Sequence, residues 1–378
     1  MNQTTVTEVE TWLCRVKLPN PIDLGPIIVR ERDYLALRVR TAGGLAADCV
    51  TQVRGSPVDV AVADLLGPKI LGRDATDIAA IALDIRRSLT AAEFDGVIGR
   101  AWSAVEICLQ DLRAQAVGWP LWKMLGGLGR DARVAIVEGY SLKGETDDDF
   151  VSRLVASAEE GFKLIKVEAG HYQPIDDLIR RLKLFRERSA SDAQLVLDFA
   201  WTWSTGKDQA GHLRTLEGLG VAWMEDMYYR TSIDSYRRLR DSTSIPVACG
   251  DEVSRPGDLR RLMEAKAVDL VRLDATSLGG IEAVRQLAAQ ARDNQLRVSF
   301  HVSPEIHQHC VFGFESADHV EVFPTKRPFD ATHQLVRQNV CANIKDGLLS
   351  PPNEPGSGIA LNDEAVAKFS VRQSRIAA

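Results

Sequence analysis

The sequence predicts an α/β protein: a closed (β/α)8 barrel preceded by an α+β capping domain that the C-terminal segment completes. Three observations carry this expectation. Between about residues 133 and 323, short apolar runs recur roughly every 20 to 32 residues, each followed by a segment of helical periodicity. Ahead of them, two stretches alternate apolar and polar residues in period two. Three successive predicted strands end in an acid, as expected where strand ends converge on one face of a barrel.

The length supports the same division, because 378 residues exceed one compact domain but suit a barrel of about 250 residues with a smaller partner. Hydrophobic residues make up 45% and charged residues 26%, enough apolar surface for a large core. A net charge of −6 argues against nucleic acid as a partner and favours a small molecule. The six cysteines (Cys14, Cys49, Cys108, Cys249, Cys310, Cys341) form no CxxC pair, so reduced, mostly buried thiols are expected. The start "MNQTTVTEVE" lacks the basic and apolar regions of a signal peptide, and no stretch approaches 18 uninterrupted apolar residues. A cytoplasmic protein with no membrane partner is the expectation.

In chain order, residues 1–128 form the capping domain, 129–340 the catalytic barrel, and 341–378 a segment returning to the cap. In the cap, "TEVETWLCRVKL" and "ERDYLALRVRTAGG" predict an antiparallel meander, followed by helices over about 74–90 and 100–118. The eight barrel strands are predicted at 133–139, 163–167, 194–199, 221–225, 245–249, 268–273, 296–301 and 319–323. Segments between them, such as "DDDFVSRLVASAEEGF" and "GGIEAVRQLAAQARDN", place apolar residues three and four apart and end in Gly or Asn-type caps. The tail "LLSPPNEPGSGIALNDEAVAKF" is rich in Pro and Gly, like a closing strap.

The strand ends carry the candidate chemistry. "LVLDF" gives Asp198, "AWMED" gives Glu225 with Asp226, and "VACGDE" gives Asp251 with Glu252. One acid at a strand end can simply cap the next helix. Three neighbouring carboxylates repel unless a hard cation sits among them, and oxygen-only ligation selects Mg²⁺ over zinc. Of Asp251 and Glu252, the first is favoured as third ligand because it lies nearer the strand end. Further on, "LVRLDATSLGG" ends in Asp274 and "RVSFH" in His301, so a carboxylate behind an imidazole becomes possible. His307 and His309 fit better as residues of a supporting helix. Lys166, Glu168 and Glu321 are inward charges on the second and eighth strands and join the candidates, although Glu168 could equally be a solvated surface charge.

These residues resemble those of the mandelate racemase and muconate lactonizing family, in the enolase superfamily. The likeness runs through "AWSAVEICLQDLRAQAVGWPLWKMLGG", "GFKLIKVEAG", "IPVACGDE" and the "PGSGI" tail, and covers nearly the whole chain. It implies that Asp198, Glu225 and Asp251 bind Mg²⁺, which holds a small carboxylate substrate and stabilises an enediolate; the handling of such intermediates in this superfamily is a known pattern. It also implies a His301–Asp274 dyad, Glu321 near the substrate carboxylate, a cap whose loops near 18–28 and 48–57 choose the substrate, and a homo-oligomer. Lys166 matches the first lysine of the family's KxK. The chain departs from the pattern at Glu168, where the family has its second lysine, at Ala200 in place of an asparagine, and at Met227 in place of a proline. A carboxylate with an ordinary pKa near 4.3, beside Lys166, should be a weak base unless burial raises it. Dehydration of an acid sugar or small hydroxy acid, with His301 as base and then acid, is therefore ranked above racemisation or epimerisation using Glu168. A barrel that binds ligand but has lost turnover is the third reading.

Overall fold

The computed structural model describes residues 2–23, 28–170, 175–203, 209–324, 326 and 329–378. Eight parallel strands close on themselves: β4 (Ala132–Gly139), β5 (Leu164–Glu168), β6 (Gln194–Asp198), β7 (Val221–Glu225), β8 (Val247–Cys249), β9 (Leu270–Leu273), β10 (Arg297–Phe300) and β11 (Ala317–Val322), with β11 pairing back onto β4. All eight predicted strands are present with ends shifted by a residue or two. The fifth begins at Val247 rather than 245, and Pro246 in front of it has no N–H to give to a ladder.

The cap precedes the barrel. Strands β1 (Val6–Asp23), β2 (Ile28–Thr41) and β3 (Ala46–Gln52) form the expected antiparallel meander, and the last strand, β14 (Ser370–Ala377), adds to its open edge in the order β14-β1-β2-β3. Helices α1 (Ile78–Ser88) and α2 (Gly96–Ala116) follow. Between the barrel and β14, the short hairpin β12 (Ile344–Lys345) and β13 (Leu348–Leu349) pairs antiparallel with the start of β4.

The outer helices form for the reason their spacing suggests. In α3 (Asp147–Glu159), Thr146 and Asp149 make a reciprocal capping box, three aspartates occupy the positive first turn, and Phe150, Val151, Leu154 and Ala158 bury one face. Helices α4 (Ile175–Arg188), α5 (Gln209–Glu217), α6 (Ile233–Ser242), α7 (Pro256–Glu264), α8 (Ile281–Asp293) and α9 (Pro304–Gly313) complete the ring.

The cap lies against the C-terminal ends of the barrel strands. Asp23 N–H donates to Ser141 O at 2.8 Å just beyond β4, and Tyr34 Oη donates to Asp330 at 2.8 Å beyond β11. Helix α2 joins the two parts: its buried Glu106 accepts hydrogen bonds from Ile281 N (2.7 Å) and Glu282 N (3.2 Å) at the start of α8. Its buried Asp111 accepts from Ser357 N and Oγ of the tail, both at 2.9 Å. Gly356 sits at φ +76°, and a Cβ there would collide with Asp111, which accounts for glycine in this strap. All six cysteines are free thiols, five of them buried. Among the described residues, no helix is long and apolar enough to cross a membrane.

Candidate active site

The barrel places one carboxylate after another around its mouth. Asp198 and Glu225 are the last residues of β6 and β7, paired side by side in the parallel register, and Asp251 follows β8. One oxygen from each lies within 4.8 Å of the other two, and all three residues are buried. The turn carrying Asp251 is held from below by Asp226, whose carboxylate accepts from Gly250 N (3.2 Å) and Asp251 N (3.0 Å). Gly250, at φ +147°, passes so close to the Arg272 backbone that a side chain could not fit. Asp226 therefore supports the cluster rather than joining it. Glu252 turns away at φ +58° and pairs with Arg54 Nη2 and Arg100 Nη2, each at 2.6 Å, so Asp251 and not Glu252 completes the trio.

Lys166 lies among these acids, its ammonium 3.0 Å from Asp198, 2.6 Å from Glu225, 3.2 Å from Asp251 and 2.8 Å from Glu321. Beneath it Arg272, fully buried on β9, reaches Glu225 Oε2 at 3.2 Å and Asp251 Oδ1 at 3.0 Å and also pairs with Glu321. Burial outweighs the arginine and lysine at Glu225 and pushes its carboxyl up to about 8. At Glu321 the balance is reversed: Arg272 and Lys166 overcome burial and hold it below the ordinary range.

Glu225 Oε1 is the informative atom. The ammonium of Lys166 is 2.6 Å away as an ion pair, but this buried oxygen accepts no hydrogen bond. Buried acceptors are rarely left unmade without a reason. Three clustered carboxylates with spare lone pairs and no sulfur or nitrogen donor are the ligand set of a hard divalent cation, so the residues fit Mg²⁺.

His301 follows β10 on the adjoining side. Its Nδ1 lies 3.2 Å from Asp274 Oδ2, and the other Asp274 oxygen accepts from Thr276 N (2.7 Å) and Oγ1 (2.6 Å). Nδ1 is thus the protonated donor and Nε2 faces the acids, 3.7 Å from Asp251 and 3.9 Å from Glu252. Burial opposes its charge, but Asp251, the Asp274 hydrogen bond and Glu252 together lift the imidazole to about 9. His307 receives Ala275 N on Nε2 (2.9 Å) and donates Nδ1–H to Val302 O (2.7 Å), tying the two strand ends together. His309 is likewise structural, its Nε2 2.9 Å from Ser357 O.

Glu168 stands beside Asp198 in register and accepts from Gly170 N at 3.1 Å. The sequence made it a weak base unless burial raised it. Burial does so: together with the neighbouring Asp198 charge it outweighs Lys166 and raises the carboxyl well above the usual range. Nor is it a freely solvated surface charge.

Sequence reasoning missed Arg272, Arg54, Arg100 and Trp223, whose Nε1 donates to Glu225 Oε2 at 2.6 Å. Arg272 was within reach, because strand alternation puts it on the same side as Asp274, two residues on. The loop near 48–57 does reach the mouth, through Arg54. Of the loop near 18–28, residues 24–27 lie outside the described residues, while Ile22 bridges to Leu142 at the barrel rim.

Residues 6–126 match the family described as "Mandelate racemase / muconate lactonizing enzyme, N-terminal domain", and residues 149–365 the one described as "Enolase C-terminal domain-like". A D-galactarolactone cycloisomerase of Agrobacterium fabrum is 24% identical over 96% of this chain and 98% of its own. A D-mannonate dehydratase of Rhizorhabdus wittichii is 24% identical over 90% of this chain and 92% of its own. Among solved structures, an L-talarate dehydratase from a Polaromonas species, complexed with Mg and L-glucarate, superposes with a TM-score of 0.87 at 23% identity, covering 99% of both chains. A racemase from Streptomyces coelicolor with bound magnesium superposes at 0.86 and 23% identity, covering 97% of this chain and 100% of its own. At such identities the structural likeness speaks for the fold alone, whereas the two matched regions together span most of the sequence: the chain belongs to the mandelate racemase/muconate lactonizing enzyme family and is an enolase-superfamily enzyme.

Proposed function

We propose that the protein is a Mg²⁺-dependent lyase that removes the proton α to a carboxylate and eliminates water from an acid sugar or small hydroxy acid. The observation that carries this reading is the His301–Asp274 pair, with Nε2 presented 3.7 Å from the carboxylate trio. Asp198, Glu225 and Asp251 would hold the cation, which when bound supplies charge stabilisation to the substrate carboxylate. Lys166, anchored by Glu321 at 2.8 Å, offers a further cation to the same carboxylate. In its neutral form, which a cation held at Asp251 would favour by offsetting that residue's charge, His301 Nε2 takes the α-proton; the electron pair left on carbon then expels the β-hydroxyl, which takes the proton from Nε2 and leaves as water. One group serves both halves of this exchange, and the enol product tautomerises to a 2-keto acid. Asp274 keeps the imidazole in the tautomer that makes Nε2 the base.

A racemase or epimerase reading keeps one specific support. Burial raises Glu168 well above the ordinary carboxylate range, so a second base on the opposite side is chemically available. The dehydratase reading ranks first because a single His–Asp pair suffices for it. Loss of turnover with retained ligand binding has less in its favour, since binding alone needs no dyad beside the carboxylates. Assembly as a homo-oligomer belongs to the same reading and is checked by sedimentation.

The test is a screen of acid sugars and hydroxy acids with Mg²⁺ present, following 2-keto acid. Formation that stops on chelation supports the reading. Deuterium entering the α-position of recovered substrate without any 2-keto acid would transfer the assignment to racemisation.

A further inference from the structure

From the capping domain, Arg54 reaches the barrel mouth, where it shares its carboxylate partner with a second guanidinium. Arg54 follows β3 in a turn where it takes φ +50° and Gly55 φ +71°. Two successive left-handed residues, one of them not glycine, are a costly way to build a turn and are retained where the side chain they aim has a use. Arg54 Nη2 lies 2.6 Å from Glu252 Oε1, while Arg100 Nη2, from α2, lies 2.6 Å from Glu252 Oε2. Two guanidiniums thus share one carboxylate. A tie between cap and barrel would need only one of them, and Arg100 is the better buried, with 11% of its side chain exposed against 32% for Arg54. A guanidinium carries five N–H donors in a planar fork, and Glu252 is the only ionic partner of Arg54 among the described residues.

The position of Arg54 along the site gives the rest. From Asp251 Oδ2 it is 3.7 Å to His301 Nε2, from there 3.9 Å to Glu252 Oε1, and from there 2.6 Å to Arg54 Nη2. The guanidinium is therefore no farther from the carboxylate trio than these three contacts laid end to end, and on the side of His301. A carbon chain with bonds of about 1.5 Å needs only a handful of atoms to span that distance. We infer that Arg54 receives a second carboxylate at the far end of the substrate, so that the protein favours dicarboxylates of four to six carbons over the corresponding monoacids. This rests on the proposed function in one respect, that the reacting carboxylate is held at the Asp198, Glu225 and Asp251 end.

The experiment measures binding rather than turnover. In a His301→Asn background with Mg²⁺, calorimetry compares 2-hydroxy dicarboxylates of four to six carbons, including D-glucarate, with their monocarboxylate counterparts, including D-gluconate. The best-bound dicarboxylate should bind on the order of tenfold or more tighter than its monoacid, as a charge-assisted bidentate contact allows. Arg54→Met should collapse that ratio towards one, and Arg54→Lys should restore part of it, each with circular dichroism matching the parent. A ratio unchanged in Arg54→Met, or no dicarboxylate preferred in the parent, overturns the inference. Should the ratio depend on Arg54 while the intact protein never forms a 2-keto acid, the reaction assignment fails and this inference stands. Turnover of monoacids with no dependence on Arg54 has the opposite meaning.

Discussion

Two of the sets of buried carboxylates in this molecule are equally enclosed and yet differ in what their oxygens do. At the barrel mouth Asp198, Glu225 and Asp251 converge; on α2, Glu106 and Asp111 are equally sunk in the interior. Burial raises members of both groups, Glu225 to about 8, Glu106 to about 7 and Asp111 to about 6. A perturbed pKa therefore does not separate function from architecture here. The difference lies in how the oxygens are used. Glu106 and Asp111 stand apart from each other and give their lone pairs to backbone N–H groups of α8 and the tail, whereas the mouth carboxylates crowd together and leave Glu225 Oε1 without a hydrogen bond. The first arrangement fastens two elements; the second is the oxygen-only set proposed above to hold Mg²⁺.

The largest expected effect comes from exchanging one residue in each group. Glu225→Gln should lower turnover by at least about 10³-fold, a loss of the order seen when a group acting on transition-state charge is removed. It should not lower the melting temperature in EDTA near neutral pH, because the carboxyl, pushed up to about 8, is mostly protonated there and Gln resembles that form. Glu106→Ala should do the reverse, costing about 2–4 kcal/mol through an uncapped α8 and a cavity while activity per folded molecule persists. Thermal melts and active-site-normalised rates check both. A folded but inactive Glu106→Ala protein would erase the distinction.

Within the mouth, the two sides should also be unequal. His301→Asn should remove α-proton exchange in D₂O, an effect of about 10²–10⁴-fold, while Glu168→Gln should leave exchange measurable by proton NMR and act mainly on substrate affinity. If each variant stops exchange from one enantiomer only, both groups are bases and the racemase assignment takes over.

How much of this was legible in the sequence follows from what each feature depends on. The barrel strands could be read because apolar runs and helical spacing are local, and the strand-end acids because barrel topology brings them together regardless of the loops. Arg272 could have been read by strand alternation, since it lies two residues before Asp274 on the same strand run. Arg54 could not, since its role depends on a left-handed turn and on how the cap docks. For Glu168 the sequence left the direction of the pKa open between Lys166, two residues away, and burial, because the degree of burial and the Asp198 neighbour come only with the folded sheet.

The smallest expected effect is in the pH dependence of stability. Glu225 and Glu106 both have folded pKa values above the ordinary 4.5, so the native state holds more protons than the unfolded chain and stability falls as pH rises, from about 4.5 to about 8 for Glu225 and to about 7 for Glu106. Mg²⁺ should flatten only the Glu225 contribution, because binding a cation favours the deprotonated ligand. Melting temperatures with and without Mg²⁺ should thus draw apart from pH 5 to 8 in the parent and much less in Glu225→Gln, and Glu106→Gln should remove a slope that Mg²⁺ does not touch. A parent slope that Mg²⁺ does not reduce at all, or one that Mg²⁺ reduces equally in Glu225→Gln, would contradict this.

The central claim is that a Mg²⁺-assisted His301 removes the α-proton of a carboxylate. It is tested most directly by the initial rate of 2-keto acid formation on the first active substrate, measured for the parent with Mg²⁺, for the parent in EDTA and for His301→Asn with Mg²⁺. The account predicts a rate in the first case and none above background in the other two. A parent rate that survives EDTA, or a His301→Asn rate within about tenfold of the parent where loss of a general base should cost more, would contradict it.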